Sequence, residues 1–330
     1  MSRSYRPETA PGDYRHPLVR DLAWLLDAPD MLVTAYPGRP TLTELGLADP
    51  DRKTAWLDAL EDKPGGLEKA LDTRRAGRLG LYHEALWHFL LTHAPGTRLL
   101  GANLAVHDSR GMTLGEFDLL YASTDDAAPI HLELAIKYYL GLTDGPGPRH
   151  DAARWIGPGC ADSLAIKWQR ALAHQLPLAH RPEAAATLER FSMASPGRPL
   201  EQRLAILGVL FQPWRGDASP LPPGIHADAL LGEWLYHRDW PDFCATLGNP
   251  ESLRGAFLDK PHWLAPPPDS ALLPLTALSR QLDAHFAARQ VPRQLLLHEA
   301  GGTYRRLFVV ADDWPRAIPL PPRVPCNASA

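Results

Sequence analysis

Four carboxylates and a lysine interrupt apolar segments of this chain: Glu84, Glu116, Asp118, Glu133 and Lys137 all lie between positions 79 and 140. An ionised group in such surroundings is costly unless something pairs with it. Converging carboxylates suit a hard divalent cation, since Mg²⁺ takes oxygen ligands and keeps part of its water shell. A cation held in this way activates water and offsets the charge that builds on a phosphate under attack. The residue types therefore point to metal-assisted phosphodiester chemistry. Mg²⁺ or Mn²⁺ is the expected cation, Asp118, Glu133 and Glu84 its ligands, and Lys137 a charge-stabilising group.

A helix and three strands must position these groups. Residues 79–93 are apolar nearly all round and stop at Ala94-Pro95-Gly96, which predicts a buried helix carrying Glu84. Runs at 99–106, 113–122 and 130–140 read as strands joined by short turns, hence an antiparallel meander. Alternate strand residues share a face, so Glu116 and Asp118 point one way. By the same rule His131, Glu133, Ala135 and Lys137 lie together. If the second and third strands pair as a hairpin, Asp118 and Glu133 meet across it. Asp162 or Ser163 then caps a helix running to His174 that carries Lys167 and Gln169. Residues 204–211 read as a further buried strand. Ordinary roles compete with these. Glu84 could pair with His88 one turn on, Lys137 could be a solvated strand end, and Lys167 and Gln169 could form the wet side of an amphipathic helix.

The order helix, three strands, helix, strand, together with Asp118, Glu133 and Lys137, resembles the PD-(D/E)XK nuclease superfamily, which has the restriction-endonuclease-like fold. Gly115-Glu116-Phe117-Asp118-Leu119-Leu120 is similar to the GE-x-D-hydrophobic signature of several members. This resemblance covers about residues 78–213. It implies an α/β core with a mixed central sheet and Mg²⁺-dependent hydrolysis of DNA, ahead of RNA. It also implies metal binding by Asp118 and Glu133, a supporting carboxylate at Glu84, charge stabilisation by Lys137, and nucleic-acid contacts from Lys167 and Gln169. One position departs from the pattern. The superfamily lysine stands two residues after the glutamate, where this chain has Ala135; Lys137 lies about 13 Å along an ideal strand from Glu133 instead of about 7 Å. The departure motivates a second reading, a catalytically inactive nuclease-like scaffold that binds nucleic acid or a protein partner. Over its whole length the chain also resembles an uncharacterised bacterial family, domain of unknown function 1853. The segments that carry this likeness are 115–118, 133–137, 157–167, and Trp263 with Leu264. That family brings no established activity.

Composition narrows the remaining options. The 330 residues are 45% apolar and 22% charged with net charge −4, ordinary for a globular protein and without a global basic field. Cys160, Cys244 and Cys326 are scattered, with no CxxC pair, which argues against a cysteine zinc site and a disulfide framework. No apolar leader and no run of about 18 apolar residues is visible, so no membrane span and a cytoplasmic location are expected. His83, Glu84 and His88 miss the His-Glu-x-x-His spacing of a zincin, and no Walker A loop or Gly-x-Ser-x-Gly elbow occurs. Three regions are expected: a helical N-terminal segment at 1–77, the nuclease-like core at 78–213, and a Pro-rich α+β accessory region at 214–330 packed on the core. Helices are predicted at 17–26, 51–59 and 65–74. In the C-terminal region the spacing predicts helices at 225–236 and 272–289, and a last strand pair at 294–298 and 304–310 that could extend the same sheet.

Overall fold

A computed structural model describes residues 8–9, 12–71, 78–126, 128–192, 200–248, 251–299 and 302–321. Strand β1 (Glu8–Thr9) and helices α1 (Pro17–Asp27), α2 (Pro50–Asp62) and α3 (Gly65–Ala70) precede α4 (Leu79–His93). An antiparallel meander follows, β2 (Thr97–His107), β3 (Thr113–Ser123) and β4 (Ile130–Gly141). A short β5 (Trp155–Ile156) pairs back on β4 before α5 (Leu164–Arg170), a π turn (Ala171–Gln175), α6 (Pro182–Ser192) and β6 (Glu201–Pro213). The chain continues through β7 (Leu230–Tyr236), α7 (Trp240–Thr246), β8 (Arg254–Leu258), β9 (Leu273–Pro274), α8 (Leu275–Ala288), β10 (Arg293–Glu299) and β11 (Thr303–Val310).

Among the described residues, eleven strands join in one mixed sheet of order β2-β3-β4-β6-β7-β11-β10-β8-β9, with β1 on β11 and β5 on β4. Its centre, β4-β6-β7-β11, is parallel and its flanks are antiparallel. Parallel strands covered on both faces read as continuous apolar runs, and β6 is buried at every position after Glu201. Alternation along β4 and β6 separates two cores. Leu132, Leu134, Ile136, Leu207 and Val209 meet α1 and α4 on one side. Ala135, Tyr139, Leu204, Ile206 and Leu210 meet Leu164 and Ala171 on the other. A third core packs α8 against Leu295, Leu297, Leu307 and Val309.

The mixed α/β class expected from the sequence is what the chain adopts. The helix carrying Glu84, the meander and the last strand pair stand where the periodicity puts them, and that last pair does extend the central sheet. The helix expected at 225–236 is a correction: β7 occupies Leu230–Tyr236. Leu231, Trp234 and Leu235 have helix-like spacing, but the segment is inserted between β6 and β11, where backbone pairing on both edges decides its form. The helix expected from 272 begins at Leu275, after Pro274. Helices α6 and α7 and strand β8 were not foreseen. Positions 72–77, next to the expected start of the core, lie outside the described residues. At the other expected boundary the sheet is continuous, since β7 pairs with β6 from Val209↔Leu230 to Pro213↔Trp234.

Candidate active site

Hydrogen-bonded pairing of β3 with β4 covers only Leu119↔Leu132, Leu120↔His131 and Tyr121↔Ile130. The next step in this register opposes Asp118 to Glu133, the juxtaposition expected from the hairpin. Here the backbone ladder gives way to a side chain: Asp118 Oδ2 accepts from the Leu134 N–H at 2.9 Å. The two acids are within hydrogen-bonding reach of each other whenever one of them carries a proton.

Glu133 is 0% exposed. Its Oε1 accepts a hydrogen bond from Gln175 Nε2 and lies 3.6 Å from Lys167 Nζ. Its Oε2 is buried with no hydrogen-bond partner. Lys167, 12% exposed, donates to Gln175 Oε1 at 3.0 Å, so one amide ties the lysine to the glutamate. Desolvation pushes Glu133 well above the usual carboxylate range, and the neighbouring charge of Asp118 adds to it, against the pull of Lys167. Burial also raises Asp118, opposed by its Leu134 hydrogen bond and by Lys167. Lys167 is lowered by burial, against the attraction of both acids. The resting cluster is therefore a carboxyl pair that favours sharing a proton, flanked by a partly desolvated ammonium.

Local sequence explains the geometry of α5. Ser163 caps the helix, accepting from the Ile166 N–H at 3.3 Å. On an ideal helix Lys167 and Gln175, eight residues apart, would be rotated about 80° from one another. The π turn widens the last stretch and brings them together; its closing bond runs from the Leu176 N–H to the Ala171 carbonyl. Pro177, next in sequence, cannot continue an α-helical ladder and accounts for the change of pitch.

Glu84 from α4, Asp118 and Gln175 line one cavity of about 340 Å³, together with Arg78, Ala135 and Ile136. His83 lines it too, but burial pulls its pKa down to about 3 and its Nε2 accepts the Trp87 indole N–H at 3.1 Å, so it stays neutral. Buried His131, pulled down to about 4, is neutral as well.

The remaining expected site residues fall elsewhere. Lys137 Nζ is paired with Asp162 Oδ2 at 2.5 Å, and the Tyr139 hydroxyl donates to the same oxygen at 3.5 Å. Strand rise separates Lys137 from Glu133, and the lysine that reaches the acids comes from α5 instead. Lys167, singled out from sequence for nucleic-acid contact, is that residue. Gln169 is half-buried two positions along α5. Gln175 went unforeseen, because linking it to Lys167 requires the π turn; Pro177 was the available signal.

Among the described residues no three His, Cys, Asp or Glu side chains form a ready-made metal cluster. Mg²⁺ is nevertheless commonly held by one or two carboxylates plus waters and substrate oxygens. The orphaned oxygen of buried Glu133, beside the Asp118 carboxyl that lines the cavity, fits that donor set.

No helix among the described residues is long and apolar enough to cross a membrane. No curated protein and no solved structure matches the chain. The profile of one family, "Domain of unknown function (DUF1853)", matches residues 20–310, and the chain belongs to that family.

Proposed function

We propose that this protein is a Mg²⁺-dependent nuclease hydrolysing phosphodiester bonds of DNA, ahead of RNA, on a restriction-endonuclease-like core. The observation that carries this reading is half-buried Asp118 against fully buried Glu133, with Lys167 beside the glutamate. A bound Mg²⁺ or Mn²⁺ would supply Lewis-acid stabilisation and a more acidic water. Asp118 and Glu133 would hold it, and Glu84 would orient solvent from its place on the cavity wall. Lys167 would stabilise the charge developing on the phosphate, taking the part that the sequence pattern gives to Lys137. Gln175 positions both Lys167 and Glu133 through its two amide atoms. Lys137 acts at one remove: its bond to Asp162 holds the residue just before the Ser163 cap, and so the start of α5.

The test is cleavage of supercoiled, linear and single-stranded DNA with Mg²⁺ or Mn²⁺. Asp118→Ala and Lys167→Ala should each reduce the rate by at least about 100-fold, the scale of a lost electrostatic contact in an active site. Lys137→Ala should cost less than Lys167→Ala. No cleavage by the wild-type protein, with metal binding intact, would support the inactive scaffold binding nucleic acid or a protein. Cleavage that survives both substitutions would place the chemistry elsewhere.

A further inference from the structure

The oxygens of the acid pair are unequally committed. Glu133 Oε1 accepts from Gln175 Nε2 and lies 3.6 Å from Lys167 Nζ, whereas Oε2 is buried with no hydrogen-bond partner. Asp118 Oδ2 accepts from the Leu134 N–H at 2.9 Å, which leaves Oδ1. Each acid therefore has one uncommitted oxygen to offer a cation. Among the described residues no third His, Cys, Asp or Glu side chain joins them in a metal-binding group. Mg²⁺ is commonly held by one or two carboxylates plus waters and substrate oxygens, so this set suits a single ion.

A pair of ions needs more. Two-metal sites hold their cations about 3.5–4 Å apart, and here the second would fall to Glu133 Oε1. Mg²⁺ binds oxygen at about 2.1 Å, so an ion on Oε1 would stand within roughly 6 Å of the Lys167 ammonium. Lys167 is held in place: it donates to Gln175 Oε1 at 3.0 Å, and its side chain is only 12% exposed. Glu133 has no exposed surface, so little water screens the repulsion between the two cations. Charge gives the same count. Two carboxylates, one divalent ion and one ammonium leave a single positive charge, which the single negative charge of a phosphodiester cancels. A second divalent ion would leave two positive charges uncompensated in a desolvated site, a costly state.

We infer, on the nuclease reading proposed for this chain, that the site takes one divalent cation and not two, with the Lys167 ammonium in the place of the second. Lys167 then keeps a further ion off Glu133 and brings to the phosphate the positive charge that such an ion would supply. Gln175 is the positioning residue that holds the ammonium there.

Mn²⁺ binding to the full chain, followed by calorimetry and electron paramagnetic resonance, tests this without relying on cleavage. Wild-type protein should bind one Mn²⁺ per chain at saturation and give the spectrum of an isolated ion. Lys167→Ala should admit a second, weaker ion, and coupling between the two should change the spectrum, even as the substitution slows DNA cleavage. Asp118→Ala should lose the bound ion. The wild-type stoichiometry needs no substitution, so the test stands even if Lys167→Ala fails to fold. Two coupled Mn²⁺ ions in the wild-type protein, or a folded Lys167→Ala protein that still takes one, would overturn the inference and leave the nuclease reading in place. Absence of any Mn²⁺ uptake by folded wild-type protein would instead remove the metal on which both rest.

Discussion

Burying Glu133 beside Asp118 opposes folding, and the sign of that effect can be measured. The folded-state pKa of Glu133 is raised above its ordinary 4.5, with burial the first cause. The folded protein therefore holds a proton that the unfolded chain releases, and stability falls as pH rises above 4.5 toward the folded pKa. Glu133→Gln removes this penalty while keeping an oxygen to accept from Gln175. Thermal unfolding should show the variant more stable than wild type at pH 8, with the gap closing toward pH 4.5. An unchanged or lower melting temperature at pH 8 would mean that Glu133 is a structural residue. At this scale the acid pair was readable, because hairpin register alone opposes Asp118 to Glu133. Which lysine joins them was not. Strand alternation puts Lys137 on the correct face, but a salt bridge to Asp162 claims it, and no local rule reports that bond.

The elements around the site depend on a few close approaches. Gly208 on β6 has φ +131°, and a Cβ there would stand 1.7 Å from the Lys137 carbonyl oxygen. This approach lets β6 run in register along β4 from Ile130↔Glu201 to Leu140↔Phe211. Gly208→Ala should therefore destabilise the protein by more than the ~1–3 kcal/mol of a strained backbone conformation, a loss that denaturant unfolding would register. Ser163→Ala should cost about 1 kcal/mol through the lost helix cap. It should also lower activity in the cleavage assay by loosening the start of α5. The meander and α4 were legible as apolar runs bounded by Pro and Gly. β7 was not, since its identity as a strand comes from two parallel neighbours far away in sequence.

Across the whole molecule, distant segments are tied by Arg306 on β11, which is 0% exposed. It binds Glu8 on β1 through Nε–Oε1 at 2.6 Å and Nη2–Oε2 at 2.8 Å, and donates to the Trp263 and Leu264 carbonyls at 2.8 and 2.6 Å. Breaking one side of such a buried pair strands the other charge, so Glu8→Ala should cost about 3–5 kcal/mol in unfolding free energy. Little change would show that the first strand is dispensable. Long-range ties of this kind leave no periodicity, which is why the fold class and acid pair could be anticipated while the packing of the C-terminal half could not. In the proposed mechanism the Asp118–Glu133 pair exchanges its proton for a cation. Mg²⁺ titration by calorimetry in buffers of different ionisation enthalpy addresses it directly, because ligands must deprotonate to bind metal. The expected result is saturable binding with proton release that grows as pH falls, abolished in Asp118→Ala and Glu133→Gln. Wild-type protein that is folded at neutral pH and takes up neither Mg²⁺ nor Mn²⁺ would show that the acid pair is not a metal site.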